Sequence, residues 1–340
     1  MPEDAVRSEG DGFEKKSVYA SLFNYGKSEL VWLKIDPKLC GDGIGEVEPI
    51  PALQSGITNL GCYGYTICKG KVYFMGGRDL ETEVPSKKAF CFDLVTKEWT
   101  DISDMNAARA YPVAVTVGED IYVFGSKVEK DIPLNQWVEI YNHRSKQWGF
   151  LPNVDAPRDI VDIASINSVA VDEPNHQILL WVSPPVGVCS YNYTTNSWSR
   201  FHFSINRTVP ISCYGVAVVH NHLLWHFFGS IYAYNLSDYR LFHLHRINDS
   251  LLGSRFGTPR SGDDPPLPSH LVRVAEDTLL FVYWNPISYH LEKNVNHMHC
   301  YKFRIKSSSK QEGCPFSLVC DGSLAYDSPG CDGVSDLLLG

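Results

Sequence analysis

The chain has 340 residues, 44% of them hydrophobic and 12% aromatic, and a formal charge of -9. That length allows one large all-β domain or two ordinary ones with a sizeable core. The acidic balance argues against tight non-specific attachment to nucleic acid or an anionic membrane.

Residues 1–16, MPEDAVRSEGDGFEKK, are charged and carry no apolar run. They are predicted to be disordered and show no secretory leader. No stretch of 18 apolar residues follows, so no membrane span is predicted. A cytoplasmic or nuclear chain in a reducing compartment is therefore expected. Its ten cysteines, which form no CxxC pair, are expected to be free thiols. The sequons at Asn192, Asn206, Asn235 and Asn248 are then idle.

Residues 17–53 read as three strands, VYASLF, ELVWLKID and EVEPIPAL. From residue 57 a repeat sets in. An aromatic residue beside Asp or Asn, a polar turn and a Trp recur as Phe92-Asp93 to Trp99, Tyr141-Asn142 to Trp148 and Tyr191-Asn192 to Trp198. The interval is seven residues each time, and the Trp residues stand 49 and 50 apart. A fourth copy, Tyr234-Asn235 to Leu241, carries an aliphatic residue in place of Trp. Seven residues with a polar middle suit two strands joined by a tight turn, opened by an Asp or Asn that bonds nearby amides.

Upstream of each element lies an apolar pair of segments around a polar turn: 62–77, 110–126 and 213–230, with turns placed at Gly70-Lys71 and Gly118-Glu119-Asp120. Each unit thus holds four short strands, and helical periodicity is nearly missing. These features, with the Gly76-Gly77 pair, resemble the kelch family over about residues 57–245. The double glycine departs to Gly125-Ser126 and Gly229-Ser230. The resemblance implies an all-β, kelch-type β-propeller, one four-stranded blade per repeat.

Six blades are predicted: 17–53, 57–106, 107–155, 159–204, 207–247 and 267–306. The first lacks its innermost strand, which SLVCDGSLAY (317–326) is expected to supply as the ring closes. The propeller then spans 17–326, with 248–266 as a long inter-blade loop and 327–340 as a flexible tail.

Strands alternate in direction within a blade, so the loop after strand 2 and the link from strand 4 to the next strand 1 share one face. Arg78 and Asp79 fall in the first kind of segment; Arg109, Arg158 and Arg207 fall in the second, spaced 49 and 49. Either these arginines gather over one channel mouth, where they would hold a carboxylate or phosphate, or they brace neighbouring blades separately. Asn24, Tyr25, Asn59, Asp159 and Asn285 belong to the same face. The resemblance implies binding of partners by these loops.

Nine of the twelve histidines fall between His220 and His299. The pairs His220/His222, His243/His245 and His297/His299 have the i, i+2 spacing that puts side chains on one strand face. Such pairs can ligate zinc or iron with a third ligand, yet strand histidines more often face solvent or bond backbone. The iron pattern of kelch-like plant enzymes and the copper pattern of galactose-oxidase-like ones both fail here. P-loop, G-x-S-x-G and zinc-type cysteine motifs are missing. No cofactor or metal is expected, and no catalytic residue is assigned.

The leading expectation is a monomeric module that binds a protein or a small anionic ligand at the channel mouth. Plant F-box/kelch-repeat proteins look similar in texture, but only sixteen residues precede the first strand, too few for an F-box. The alternative is a cofactor-independent small-molecule enzyme or specifier using the same mouth.

Overall fold

The computed structural model describes residues 17–24, 29–35, 48–50, 60–61, 63–125, 134–151, 166–182, 187–201, 215–227, 230–246, 269–285, 297–307, 314–327 and 333–339. Almost all of them lie in antiparallel strands and tight turns.

The first strands are β1 (Val18–Asn24), β2 (Glu29–Ile35), β3 (Glu48–Pro49) and the short β4 (Leu60–Gly61). Next come β5 (Gly64–Cys68), β6 (Lys71–Met75), the short β7 (Arg78–Asp79), β8 (Ala89–Asp93) and β9 (Trp99–Asp101). The middle units are β10 (Val113–Val117), β11 (Asp120–Phe124), β12 (Val138–Asn142) and β13 (Gln147–Phe150), then β14 (Ile166–Asp172), β15 (Gln177–Val182), β16 (Gly187–Asn192) and β17 (Ser197–Phe201). Last are β18 (Val216–Val219), β19 (His222–Phe227), β20 (Ser230–Asn235) and β21 (Leu241–Arg246), β22 (Ser269–Ala275), β23 (Thr278–Asn285), β24 (His297–Ser307) and β25 (Phe316–Asp327), and β26 (Gly333–Leu339).

These strands make six four-stranded sheets, five in plain chain order and one ordered β26-β1-β2-β3. The first strands touch in a closed circuit: β5 on β10, β10 on β14, β14 on β18, β18 on β22, β22 on β26, and β26 on β5. Six sheets standing around one axis is a six-bladed propeller.

Apolar alternation explains why the blades stack. In β6, Val72 and Phe74 join the cluster shared with blade 1, while Tyr73 and Met75 join the one shared with blade 3. A middle strand covered on both faces reads as an unbroken apolar run, as in Ile178–Val182 and Leu279–Tyr283. Each of the six seams between blades has its own buried cluster.

The seven-residue repeat has a simple basis. Phe92 lies opposite Trp99, Tyr141 opposite Trp148, Tyr191 opposite Trp198 and Tyr234 opposite Leu241. The three aromatic pairs stand 5.2, 5.1 and 5.2 Å apart, ring centre to ring centre. The turn between them opens on Asp93, Asn142, Asn192 or Asn235, whose Oδ1 accepts amide hydrogens from the residues just beyond. Four residues on, Lys97, Lys146, Asn196 and Tyr239 all take left-handed φ between 51 and 62°. The first inner hairpin turns on Lys69-Gly70, one residue earlier than expected, because Cys68 pairs with Lys71.

Closure corrects the sequence-based expectation. Residues 316–326 do not complete blade 1: β25 pairs with β24 from Ser307–Phe316 to His297–Asp327 and is the outer strand of blade 6. Phe316 and Leu318 are buried against blade 5, so that strand is already committed there. The innermost strand of blade 1 is β26, with Val18 opposite Leu339 and Phe23 opposite Gly333. The segment expected to be a tail at 327–340 therefore contains the closing strand. The expected disordered 1–16 and the inter-blade stretch 248–266 lie outside the described residues.

Candidate functional site

The two kinds of connection do meet on one face. Leu60-Gly61, in the link entering blade 2, pairs with Arg78-Asp79 in that blade's own loop after strand 2. From the other side, the link entering blade 3 docks through a Ser86–Arg109 bridge, with the Gly77 amide donating to the Arg109 carbonyl at 2.8 Å. Gly76 makes this approach possible. Its φ is +67°, and a Cβ there would stand 2.6 Å from the Arg109 carbonyl oxygen, so only glycine fits.

Arg109 is corrected by this geometry. It is fully buried and paired with Glu139, itself fully buried, at 3.0 Å. Its guanidinium also donates to the carbonyls of Gly125, Trp137 and Gln136 at 3.0, 2.8 and 2.7 Å. Glu139 in turn accepts the amides of Asn106 and Ala107. The guanidinium thus ties the link entering blade 3 to that blade's own strands, and its burial closes it to a ligand. Arg158, Arg207, Asn59, Tyr25 and Asp159 lie outside the described residues. Asn24 and Asn285 end β1 and β23, second strands of their blades, and so sit on the face of the Arg78 loop.

Arg78 is the candidate that stays accessible. It donates to the Tyr111 hydroxyl at 2.9 Å, to the Glu83 carbonyl at 3.0 Å, and pairs with the Glu83 carboxylate at 2.9 Å. Its guanidinium carbon lies 5.5 Å from the centre of the Tyr111 ring. Asp79 turns back on its own loop, accepting from the Glu81 and Thr82 amides and from the Thr82 hydroxyl. Those bonds, the Thr82 amide first, hold its carboxyl below the usual carboxylate range.

The loop so held presents Leu80 and Val84, 57% and 58% exposed, beside Tyr111 at 37%. Two exposed aliphatics on a loop held by the Asp79 turn, and Tyr111 of the link entering blade 3 held by Arg78, thus bring apolar side chains to this face. Sequence reading fixed on charge and missed all three. The available signal was an aliphatic pair inside an otherwise polar stretch, Leu80 to Pro85.

Among the described residues no three His, Cys, Asp or Glu come together to hold an ion. His220 lies in the turn before β19, and its carbonyl accepts from His222 Nδ1.

Six radial sheets, the aromatic-Asp/Asn-to-Trp hairpin and the Gly76-Gly77 turn make a β-propeller of kelch type. A Kelch motif is matched over residues 60–106, which is blade 2 with its Arg78 loop. The Kelch-like protein terF of Aspergillus terreus is 31% identical over 34% of this chain and 26% of its own length. Alpha-scruin of Limulus polyphemus is 29% identical over 26% of this chain and 10% of its own. An F-box/kelch-repeat protein of Arabidopsis thaliana is 30% identical over 37% of this chain and 30% of its own. The chain thus spans a third or less of these curated relatives. Kelch repeats mark a β-propeller protein-interaction module.

Proposed function

We propose that this propeller binds a protein partner through the loops at one mouth of its channel, with the 79–85 loop and Tyr111 as the anchoring platform. The observation that carries this reading is the exposure of Leu80 and Val84 on a loop fixed by the Asp79 turn and the Arg78–Tyr111 contact. Rigid presentation of apolar side chains lowers the ordering cost of association. A protein fits better than a small anion, because Arg109 is spent inside the fold and Arg78 is already shared between Glu83 and Tyr111.

The test compares partners cross-linked to the wild type, to Leu80→Glu/Val84→Glu, and to Val95→Glu. Val95 is exposed on the opposite face, in the turn that Asp93 opens. Partners kept by Val95→Glu and lost from the double variant support the reading. An identical set from all three proteins overturns it.

A further inference from the structure

The seam between blades 5 and 6 buries imidazoles against phenylalanines. Its apolar body includes Leu224, Ile231 and Leu244 from blade 5, with Phe281, Phe303 and Phe316 from blade 6. Against the latter, blade 5 sets His226 on Phe281 at 4.5 Å between ring centres, His222 on Phe316 at 5.2 Å and His245 on Phe303 at 5.3 Å. Among the described residues no other seam gathers three histidines in this way.

The ring nitrogens leave little room for a second proton. His222 Nδ1 donates to the His220 carbonyl at 2.7 Å, and its Nε2 is buried without a partner. His226 Nδ1 shares a hydrogen with the Ser269 hydroxyl at 2.8 Å, and its Nε2 is buried without a partner as well. His226 is only partly covered as a whole, but that nitrogen is sealed from water. An imidazolium must donate from both nitrogens, and here one of them faces no acceptor.

The surrounding charges do not compensate. On the blade 5 side His220 and Asp238 act on His222, and His243 acts on His245. From blade 6 the titratable groups packed against blade 5 include His270 beside Gly215, Arg273, Tyr283, His299, Tyr301, Cys314 and Cys320, none of them a carboxylate. Arg273 is engaged with the carbonyls of Val218 and Glu276. Among the described residues Asp238 is the one carboxylate acting on these imidazoles, and its pull on His222 is smaller than the desolvation it opposes.

We propose that this seam is an acid-sensitive joint: at mildly acidic pH its histidines take up protons by leaving their phenylalanines, and the ring parts between blades 5 and 6 before any other seam. Burial lowers the basicity of all three imidazoles and brings His226 down to about 3 from an ordinary 6.5. The parted state therefore binds more protons between pH 6.5 and 3. Closure is fully favoured above 6.5 and weakens as pH falls through that window.

Amide hydrogen exchange of the intact chain, corrected for the intrinsic effect of pH, tests this at pH 7.5 and 4.5. The two values for His226 predict that protection in β19 and β23 falls about a hundredfold, while β5 and β10 keep theirs. Equal loss at every seam, or none at this one, overturns the joint. In His226→Asn, which keeps a polar atom towards Ser269, the loss should shrink at least about tenfold; an unchanged loss also overturns it. Should that variant not fold, the wild-type comparison between seams decides.

Discussion

Arg109 shows how one residue can be read correctly for its place and wrongly for its work. Its position on the face of the Arg78 loop followed from strand order, but its partner, Glu139, lies thirty residues on in β12. No other copy of the repeat has an acid at the matching position: Phe90, Cys189 and Tyr232 stand there instead. Nothing in the repeat therefore announced the pair. Removing one member leaves a buried uncompensated charge, which typically costs about 3–5 kcal/mol. Arg109→Met should lower stability by that order, measured by urea unfolding. Arg109→Met/Glu139→Leu should recover only part of it, because the stranded charge is gone but the carbonyls of Gly125, Trp137 and Gln136 and the amides of Asn106 and Ala107 lose their partners.

At the scale of the element, the outer hairpin was legible because its logic is local. An Asx turn followed by a left-handed residue needs only the sequence between Phe92 and Trp99, or its copies. Lys97 and Lys146 hold φ of 61 and 56°, where a Cβ is strained. Lys146→Gly should therefore raise stability by up to about 1 kcal/mol, seen as a higher Tm. Asp93 differs from the other three openers in being titratable. The Thr96 amide, Lys71 and the Val95 amide hold it down to about 2, so its share of stability is present above about 4 and lost as pH falls to 2. Asp93→Asn should keep the turn and flatten unfolding curves in that acid range. The platform of Leu80, Val84 and Tyr111 was not legible, since exposure depends on which way a loop leaves its sheet.

For the molecule as a whole, the blade count was readable from the repeat, and the ring closure was misplaced. Residues 267–306 supplied three strands, and the next apolar segment was assigned to blade 1 although blade 6 still needed its fourth. Register across the ring is a long-range property that no local pattern encodes. The consequence is testable. Had 327–340 been a loose tail, its removal would be harmless. With β26 seated between β1 and β5, a chain stopped at Asp327 leaves β1 unpaired on one edge and the inner circuit open. Such a chain should elute as oligomers in size-exclusion chromatography and lose the cooperative thermal transition; a monomer with unchanged Tm would refute the assigned closure.

The pairing of Val18 with Leu339 also sets an exit. β1 starts, and β26 stops, at the side of the disc away from Arg78, since each is laid out like the second and first strand of the other blades. Anything tethered before residue 18 or beyond 339, whether an affinity tag, a solid support or a fused domain, departs underneath. The loop that carries Leu80 and Val84 lies on the other side.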